Sequence, residues 1–171
     1  MTTSSFFQIV KKRRSVRSFL DKPVESWKLQ TILKTVLLAP SAANLQSFKI
    51  FVVTDKKRKV RLVMAADCQQ HVNAPIVLIF CTNPKRIKTK FGRRGEKVFS
   101  LQDATIAATY SQLVATSLGL SSIWIGRFSE DGIRKIIRTR LRPIAIISIG
   151  YSKEMPKPKK IKKLAEIVHR I

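Results

Sequence analysis

The chain has 171 residues, enough for one domain with a hydrophobic core and too few for two ordinary domains. Apolar residues make up 44% and the mean hydropathy is −0.03, a composition typical of soluble globular proteins. Lysine and arginine number 34 against 10 acidic residues, so the net charge is +24 and the chain attracts anions of any kind. We expect one domain over residues 1–171, with a linker and tail at 151–171.

Several protein classes are disfavoured by these features. The longest apolar runs are the length of a strand, so we expect no membrane span. The charges at the N-terminus follow the short apolar patch, whereas a secretory signal has them before it. Cys68 and Cys81 lack CxxC spacing, and His71 and His169 lie far apart. We therefore predict no metal site, no disulfide framework and a cytoplasmic location.

The first half of the chain predicts alternating helices and strands. In order, we expect a helix after Ser4 and Ser5, an extended segment at 13–19, a helix at 25–38 stopped near Pro40, a strand at 48–53, a helix at 56–73 and a buried strand at 75–81. Val60, Val63 and Met64 are expected to share one face of the 56–73 helix. The stretch 83–97 is rich in Lys and Arg without a clear period, and is predicted to be a loop.

The second half begins with an apolar helix predicted over 101–118, with Gly119 as its C-cap. Because this helix is apolar nearly all round, we expect it in the middle of the fold or at a subunit interface. Next we predict a strand at 122–127, a helix at 129–138 capped by Ser129, a strand at 143–149 and a last helix or tail at 161–171. The alternation predicts a layered α/β or α+β domain with four or five strands.

Glycine-rich phosphate-binding loops and motifs for protein-only catalysis are both absent from the sequence. Neither GxGxxG nor a P-loop pattern is present, and the two histidines and ten acids form no plausible triad or carboxylate pair. If the chain is an enzyme, a bound cofactor supplies the chemistry.

Four stretches point to one family: RRSVRSF (13–19), APSAANLQSF (39–48), QDATIAATYSQLVATSLGLSSIWIG (102–126) and ISIGYSKEMPKP (147–158). In this order and spacing, the chain resembles the nitroreductase family of FMN-dependent oxidoreductases from Phe6 to Val168. The resemblance implies an α+β three-layer sandwich whose central, mostly antiparallel sheet is flanked by helices. It also implies an intertwined homodimer with two FMN sites built from both subunits.

The resemblance assigns the FMN phosphate and ribityl chain to the first stretch, through Arg13, Arg14, Ser15 and Arg17. Guanidinium groups bind phosphate bidentately, and a serine hydroxyl adds a neutral donor. Arg17 is implied to approach the N1/O2 edge of the flavin, where a cation favours reduction. The alternative is a solvated charged segment.

The second stretch matches the family pattern P-S-x-x-N-x-Q-P-W at the proline, serine, asparagine and glutamine, while Ser47 and Phe48 replace the final Pro and Trp. Amide side chains can pair with both the donors and the acceptors of the flavin pyrimidine edge. The resemblance therefore implies cofactor contacts from Ser41, Ala42, Asn44 and Gln46. An Asx-rich turn is the alternative.

The remaining implied contacts come from the other two stretches. Backbone groups of Ile125 and Gly126 are placed near flavin N5 and O4, the alternative being a core strand with a glycine turn. Lys159 aligns with a family lysine that reaches the phosphate, and Lys160 or Lys162 could substitute for the arginine expected at Ile161. Asp103 is interpreted as a charge favoured by the helix dipole, with no catalytic role.

The activity implied is hydride transfer from NADH or NADPH through flavin N5 to an organic acceptor such as a nitroaromatic or quinone, by a ping-pong mechanism. The basic stretch 83–97 would border the acceptor entrance, where Arg93 and Arg94 would favour anionic substrates. One alternative is a flavin-binding family member with specialised chemistry, such as deiodination, dehydrogenation or flavin breakdown. Another is a basic nucleic-acid-binding protein, although no nucleic-acid motif accompanies the charge and specific binding is disfavoured.

Overall fold

The computed structural model describes residues 3–158 and 160–171. The helices and strands are α1 (Thr3–Lys12), α2 (Ser26–Val36), β1 (Phe48–Val53), α3 (Lys56–Ala65), β2 (Ile76–Thr82), α4 (Lys85–Arg94), α5 (Ser100–Ser117), β3 (Ser121–Ile125), α6 (Glu130–Ile137) and β4 (Pro143–Gly150). Short 3-10 turns lie at Ala42–Asn44, Gln70–Val72 and Leu164–Glu166, and a π-helical turn at Gly95–Phe99 leads into α5.

The four strands form one antiparallel sheet in the order β1-β2-β4-β3. The two central strands carry the apolar runs because both of their faces are covered, and all seven residues of β2 are buried. Ser129 caps α6 as predicted, since its hydroxyl accepts a hydrogen bond from the Gly132 N–H. Gly119 follows α5 with the left-handed φ of 75° expected of a helix terminus.

Alternate strand residues face two separate hydrophobic cores. Leu78 and Phe80 of β2 pack against α2 and α5, while Val77 and Ile79 pack against α3 and α6. This alternation places helices on both sides of the sheet. The predicted three-layer α+β sandwich is therefore confirmed.

The prediction for residues 56–73 was wrong in its length, and the face that it grouped is only partly buried. The helix ends at Ala65, and Asp67 and Cys68 take left-handed φ values of 52° and 57°. Val60 and Met64 are 58% and 66% exposed. The buried residues of α3 are Lys59, Leu62 and Val63, and the Lys59 Nζ donates to the Pro75 carbonyl at 2.7 Å.

The prediction of a loop over 83–97 was also wrong, because this stretch forms α4 and the π-helical turn. Ile87 is fully buried, and the Phe91 and Phe99 rings meet edge to face at 5.3 Å. Beyond β4, residues 160–171 are exposed and contain only the short turn at Leu164–Glu166, so the last segment is a tail. Within the described ranges, no helix has both the length and the hydropathy needed to cross a bilayer.

The two cysteines are expected to react at very different rates. Cys68 is exposed, whereas Cys81 is buried in β2 and burial raises the pKa of its thiol to about 12. Because the thiolate is the nucleophile, one thiol per native chain should react rapidly with an aromatic disulfide reagent at about pH 8, and both should react after unfolding. Cys68→Ser should abolish the rapid phase. A rapid phase that survives in this variant would contradict the burial of Cys81.

Candidate functional site

The turn between α2 and β1 has an unusual backbone. Ala43, Asn44 and Gln46 have left-handed φ values of 49°, 54° and 48°, although none is glycine. For an L-residue such as alanine this conformation costs about 1–2 kcal/mol. Strain of this kind is retained where the surrounding structure enforces it, and it clusters at ligand sites.

A buried carboxylate at the start of α5 holds this turn in place. Asp103 Oδ1 accepts a hydrogen bond from the Ala42 N–H at 2.9 Å. Asp103 Oδ2 accepts from the Ser47 N–H at 3.1 Å and from the Ser47 hydroxyl at 2.6 Å. Asp103 is 2% exposed, so these bonds replace the water it has lost.

The sequence interpretation missed this role of Asp103, which it treated as a charge favoured by the helix dipole. One signal was available: Asp103 is the single charged residue of α5, a helix predicted to be buried. A lone charge in such a helix requires partners from elsewhere in the chain. The partners, Ala42 and Ser47, lie 61 and 56 residues away in sequence.

The substituted end of the family pattern is accommodated within this network. Ser47 is fully buried, and its backbone N–H donates to Asp103, a bond that proline could not form. Phe48 is 6% exposed and packs in the core between the sheet and α5. The turn therefore keeps an aromatic anchor after the loss of tryptophan.

The polar side chains predicted in the turn divide into two groups. The Ser41 hydroxyl accepts a hydrogen bond from the Gln46 N–H at 3.0 Å, and Gln46 Nε2 donates to the Leu37 carbonyl at 2.7 Å. These two side chains shape the turn. Asn44 is exposed and Ala42 is half-buried, so both are accessible to a ligand.

The turn and the first part of α5 enclose an open cleft of about 720 Å³, which we call the turn cleft. Its size is within the range common for small-molecule sites. The residues that line it are Pro40, Ser41, Ala42, Phe99, Leu101, Gln102, Asp103, Thr105 and Ile106.

The predicted phosphate-binding residues lie on an extended segment beside β3, here called the arginine segment (Arg13–Arg17). The Val16 N–H donates to the Ser122 carbonyl at 3.1 Å, and Ser15 forms a parallel bridge with Ser122. Gln112 of α5 supports the same point, since its Nε2 donates to the Ser122 hydroxyl at 3.2 Å. The segment is thereby fixed to the start of β3.

The arginine side chains differ in their surroundings. The Arg14 guanidinium donates to the carbonyls of Lys11 and Arg13. It also lines a cleft of about 320 Å³ together with Lys12, Ser152, Glu154, Met155, Pro156 and Pro158. Arg17 is exposed, and its positive charge adds to the effect of burial in lowering the pKa of His71.

Glu154 ties the arginine segment to the chain that leaves β4. Its carboxylate accepts hydrogen bonds from the N–H groups of Arg17 and Ser18. The Lys153 N–H donates to the Ser18 carbonyl at 2.9 Å, and the Leu20 N–H donates to the Tyr151 carbonyl at the same distance. The arginine segment is thus held from both sides, by β3 and by residues 151–154.

The other predicted contacts lie at the end of β3 and in the tail. Ile125 is 2% exposed, so its side chain belongs to the core. Gly126 is exposed, its φ is not left-handed, and an added Cβ would meet only the Trp124 ring, at 3.5 Å. Neither conformation nor packing requires glycine here, which leaves open space for a flat ligand. Lys160 is exposed, and Lys159 lies outside the described residues.

Among the residues that the structure describes, the turn and the arginine segment lie apart on one chain. Asp103 holds the turn at one end of α5, and Gln112 supports the arginine segment nine residues later, about 14 Å along the helix axis. The turn precedes β1 and Gly126 follows β3, and these are the two outer strands of the sheet. We call the arginine segment with Gly126 the arginine half-site, and the turn at Ser41–Gln46 the turn half-site.

Comparison with known proteins bears on both half-sites. The family model described as Nitroreductase family matches residues 10–75 and 68–151. The NADH dehydrogenase of Thermus thermophilus is 28% identical over 173 residues, with 84% of each chain covered. FMN reductase [NAD(P)H] of Bacillus subtilis is 33% identical over 126 residues, or 66% of this chain and 50% of that one.

Solved structures show the same fold. An FMN-dependent nitroreductase from Clostridium difficile R20291 superposes with a TM-score of 0.81 at 32% identity, covering 96% of this chain and 98% of the other. The matched ranges of the family model contain the arginine segment, the turn and β3, whereas the tail after Tyr151 lies beyond them.

Proposed function

Because the chain belongs to the nitroreductase family, we propose that it is an FMN-dependent NAD(P)H oxidoreductase. The observation that carries this proposal is the pair of half-sites within the matched ranges. One presents arginines and a serine on a fixed extended segment, and the other presents a strained, amide-bearing turn above a cleft.

The residues present fit the chemistry of FMN. Arg13, Arg14 and Ser15 would hold the phosphate, since guanidinium and hydroxyl donors match its oxygens. The backbone at Ile125 and Gly126 would contact the ring, where the absence of a side chain leaves a flat surface. Lys159 and Lys160 would add positive charge from the tail.

We propose that the turn half-site of one protomer completes the arginine half-site of its partner in an intertwined homodimer. The separation of the half-sites along α5 supports this arrangement. So do the large apolar side chains that are exposed on the single chain, because exposed apolar side chains are typical of surfaces that a partner covers. These residues include Phe6, Phe7, Trp27, Leu37, Leu38, Met155, Ile161, Leu164 and Ile167.

When bound, FMN supplies hydride chemistry at N5, taking electrons from NAD(P)H and passing them to an organic acceptor such as a nitroaromatic or quinone. The chain binds and orients the cofactor. Arg17 would place positive charge beside the ring edge where negative charge develops. Asp103 and Glu154 position the turn and the arginine segment, and no side chain is required as a general acid or base.

Steady-state kinetics test this proposal. With NADH or NADPH as donor and menadione or a nitroaromatic as acceptor, initial rates at several fixed acceptor concentrations should give parallel double-reciprocal lines, because the oxidised donor leaves before the acceptor binds. Intersecting lines would contradict the ping-pong order. An absence of turnover by FMN-saturated protein with both donors and a broad panel of acceptors would contradict the proposed activity.

A further inference from the structure

Helix α4 is strongly cationic. Its sequence is KRIKTKFGRR, and its exposed basic residues are Lys85, Arg86, Lys88, Lys90, Arg93 and Arg94. Among these six, the ion pair found in the described structure joins Lys88 to Glu96 at 3.5 Å. Most of the positive charge of α4 is therefore not neutralised by an ion pair within the described chain.

Two contacts join this charge to the turn cleft and to the turn beside it. Arg86 Nη1 donates to the carbonyl of Gln46, in the turn, at 3.3 Å. The Arg94 guanidinium lies over the ring of Phe99, 5.5 Å from its centroid, and Phe99 lines the cleft. One cation of α4 is thus attached to the cleft wall at Phe99, and a second is attached to the turn that contributes Ser41 and Ala42 to the same cleft.

Helix stability does not account for this arrangement. The first turn of α4 contains Lys85 and Arg86 and no acidic residue, although the positive end of the helix dipole disfavours cations there. A negatively charged group bound in the cleft would offset that repulsion. The charge thus has a physical use if the substrate is an anion.

We propose that α4 makes the turn cleft selective for electron acceptors that carry a carboxylate, with Arg86 and Arg94 as the specificity-determining residues. This inference rests on the proposed function. It differs from the expectation drawn from the sequence, which named Arg93 and Arg94. Arg86 contacts the turn directly, whereas Arg93 is exposed on the helix without a described cleft contact.

The test compares 4-nitrobenzoate with its neutral analogue 4-nitrobenzamide. In the double variant Arg86→Gln/Arg94→Gln, the ratio of kcat/KM for the two acceptors should fall about tenfold, about threefold for each exposed cation. The matched control is Lys57→Gln/Arg61→Gln, which removes the same charge from exposed positions on α3, across the sheet. The control should keep the wild-type ratio. Salt at about 1 M should lower the wild-type ratio towards that of the variant.

A binding measurement supports the kinetic one. Calorimetric titration of the FMN-loaded protein with benzoate and benzamide, which are not reduced, should show the same loss of preference in the variant. An unchanged preference in both measurements would overturn the inference. If the substitutions change only the preference for NADPH over NADH, the inference is also wrong, because the charge would then recognise the electron donor and not the acceptor. If other acceptors are reduced but neither nitro compound is, the calorimetry alone decides whether the cleft prefers carboxylates. If no acceptor of a broad panel is reduced, the proposed activity fails, and the calorimetry still decides the preference of the cleft.

Discussion

Asp103→Ala is expected to lower the free energy of unfolding by about 3–5 kcal/mol, because it leaves the N–H groups of Ala42 and Ser47 and the Ser47 hydroxyl without their acceptor. In a chain of 171 residues, this corresponds to a fall in Tm of roughly 10 °C. Urea titration followed by circular dichroism measures the first quantity. The turn should lose its left-handed backbone, so the affinity for FMN should fall at least tenfold in the same variant.

Three further variants separate positioning from general damage to α5. Ser47→Ala removes one of the three donors, and we expect about 1 kcal/mol of destabilisation and a smaller loss of FMN affinity. Thr109→Ala, at an exposed position of the same helix, should leave FMN affinity unchanged. If Asp103→Ala does not fold, Asp103→Asn can replace it, because asparagine keeps the side-chain volume and one acceptor oxygen. Its FMN affinity should lie between that of the wild-type protein and the value expected for Asp103→Ala. Wild-type FMN affinity in a folded Asp103 variant would show that the carboxylate does not position the turn.

The second large effect is expected when two defective variants are combined in one dimer. Arg13→Ala/Arg17→Ala disables the arginine half-site, and Ser41→Ala/Asn44→Ala disables the turn half-site. Each variant alone should retain little FMN after desalting. If every site takes one half from each protomer, a heterodimer of the two variants contains one site with both halves intact and one with both defective. We therefore expect about one FMN per heterodimer.

Coexpression with two different affinity tags allows the heterodimer to be purified. The control is the same variant carrying both tags, which should bind no more FMN than either variant alone. Recovery of FMN in the heterodimer would support the composite site. If the heterodimer binds as little FMN as the control, then both half-sites serve a site within one chain, and the proposed arrangement is wrong.

The sequence predicted most of the fold where apolar spacing is dense and uninterrupted. Strand β1 was predicted at its observed bounds, and α5 was predicted within one residue at each end. Helix α4 was missed because its cations outnumber the buried positions, with Ile87 fully buried and Phe91 only half-buried. In α3, the buried face contains Lys59 beside Leu62 and Val63, whereas Val60 and Met64 of the predicted apolar face are exposed.

The candidate site was predictable in its parts but not in its assembly. Short motifs identified the arginine segment and the turn, since arginine, serine and asparagine are the residue types that a phosphate and a flavin edge require. The anchors of these segments were not predicted, because Asp103 and Glu154 act across more than 50 residues of sequence. The distance between the half-sites along α5 is likewise a property of the fold, which no local pattern encodes.

The most direct test of this account is the visible absorption spectrum of the protein purified without added cofactor, repeated after incubation with FMN and desalting. We predict that the flavin bands are retained after desalting and bleach when NADH or NADPH is added without oxygen. Protein that retains no flavin in either sample would contradict the assignment of the arginine segment and the turn as a cofactor site.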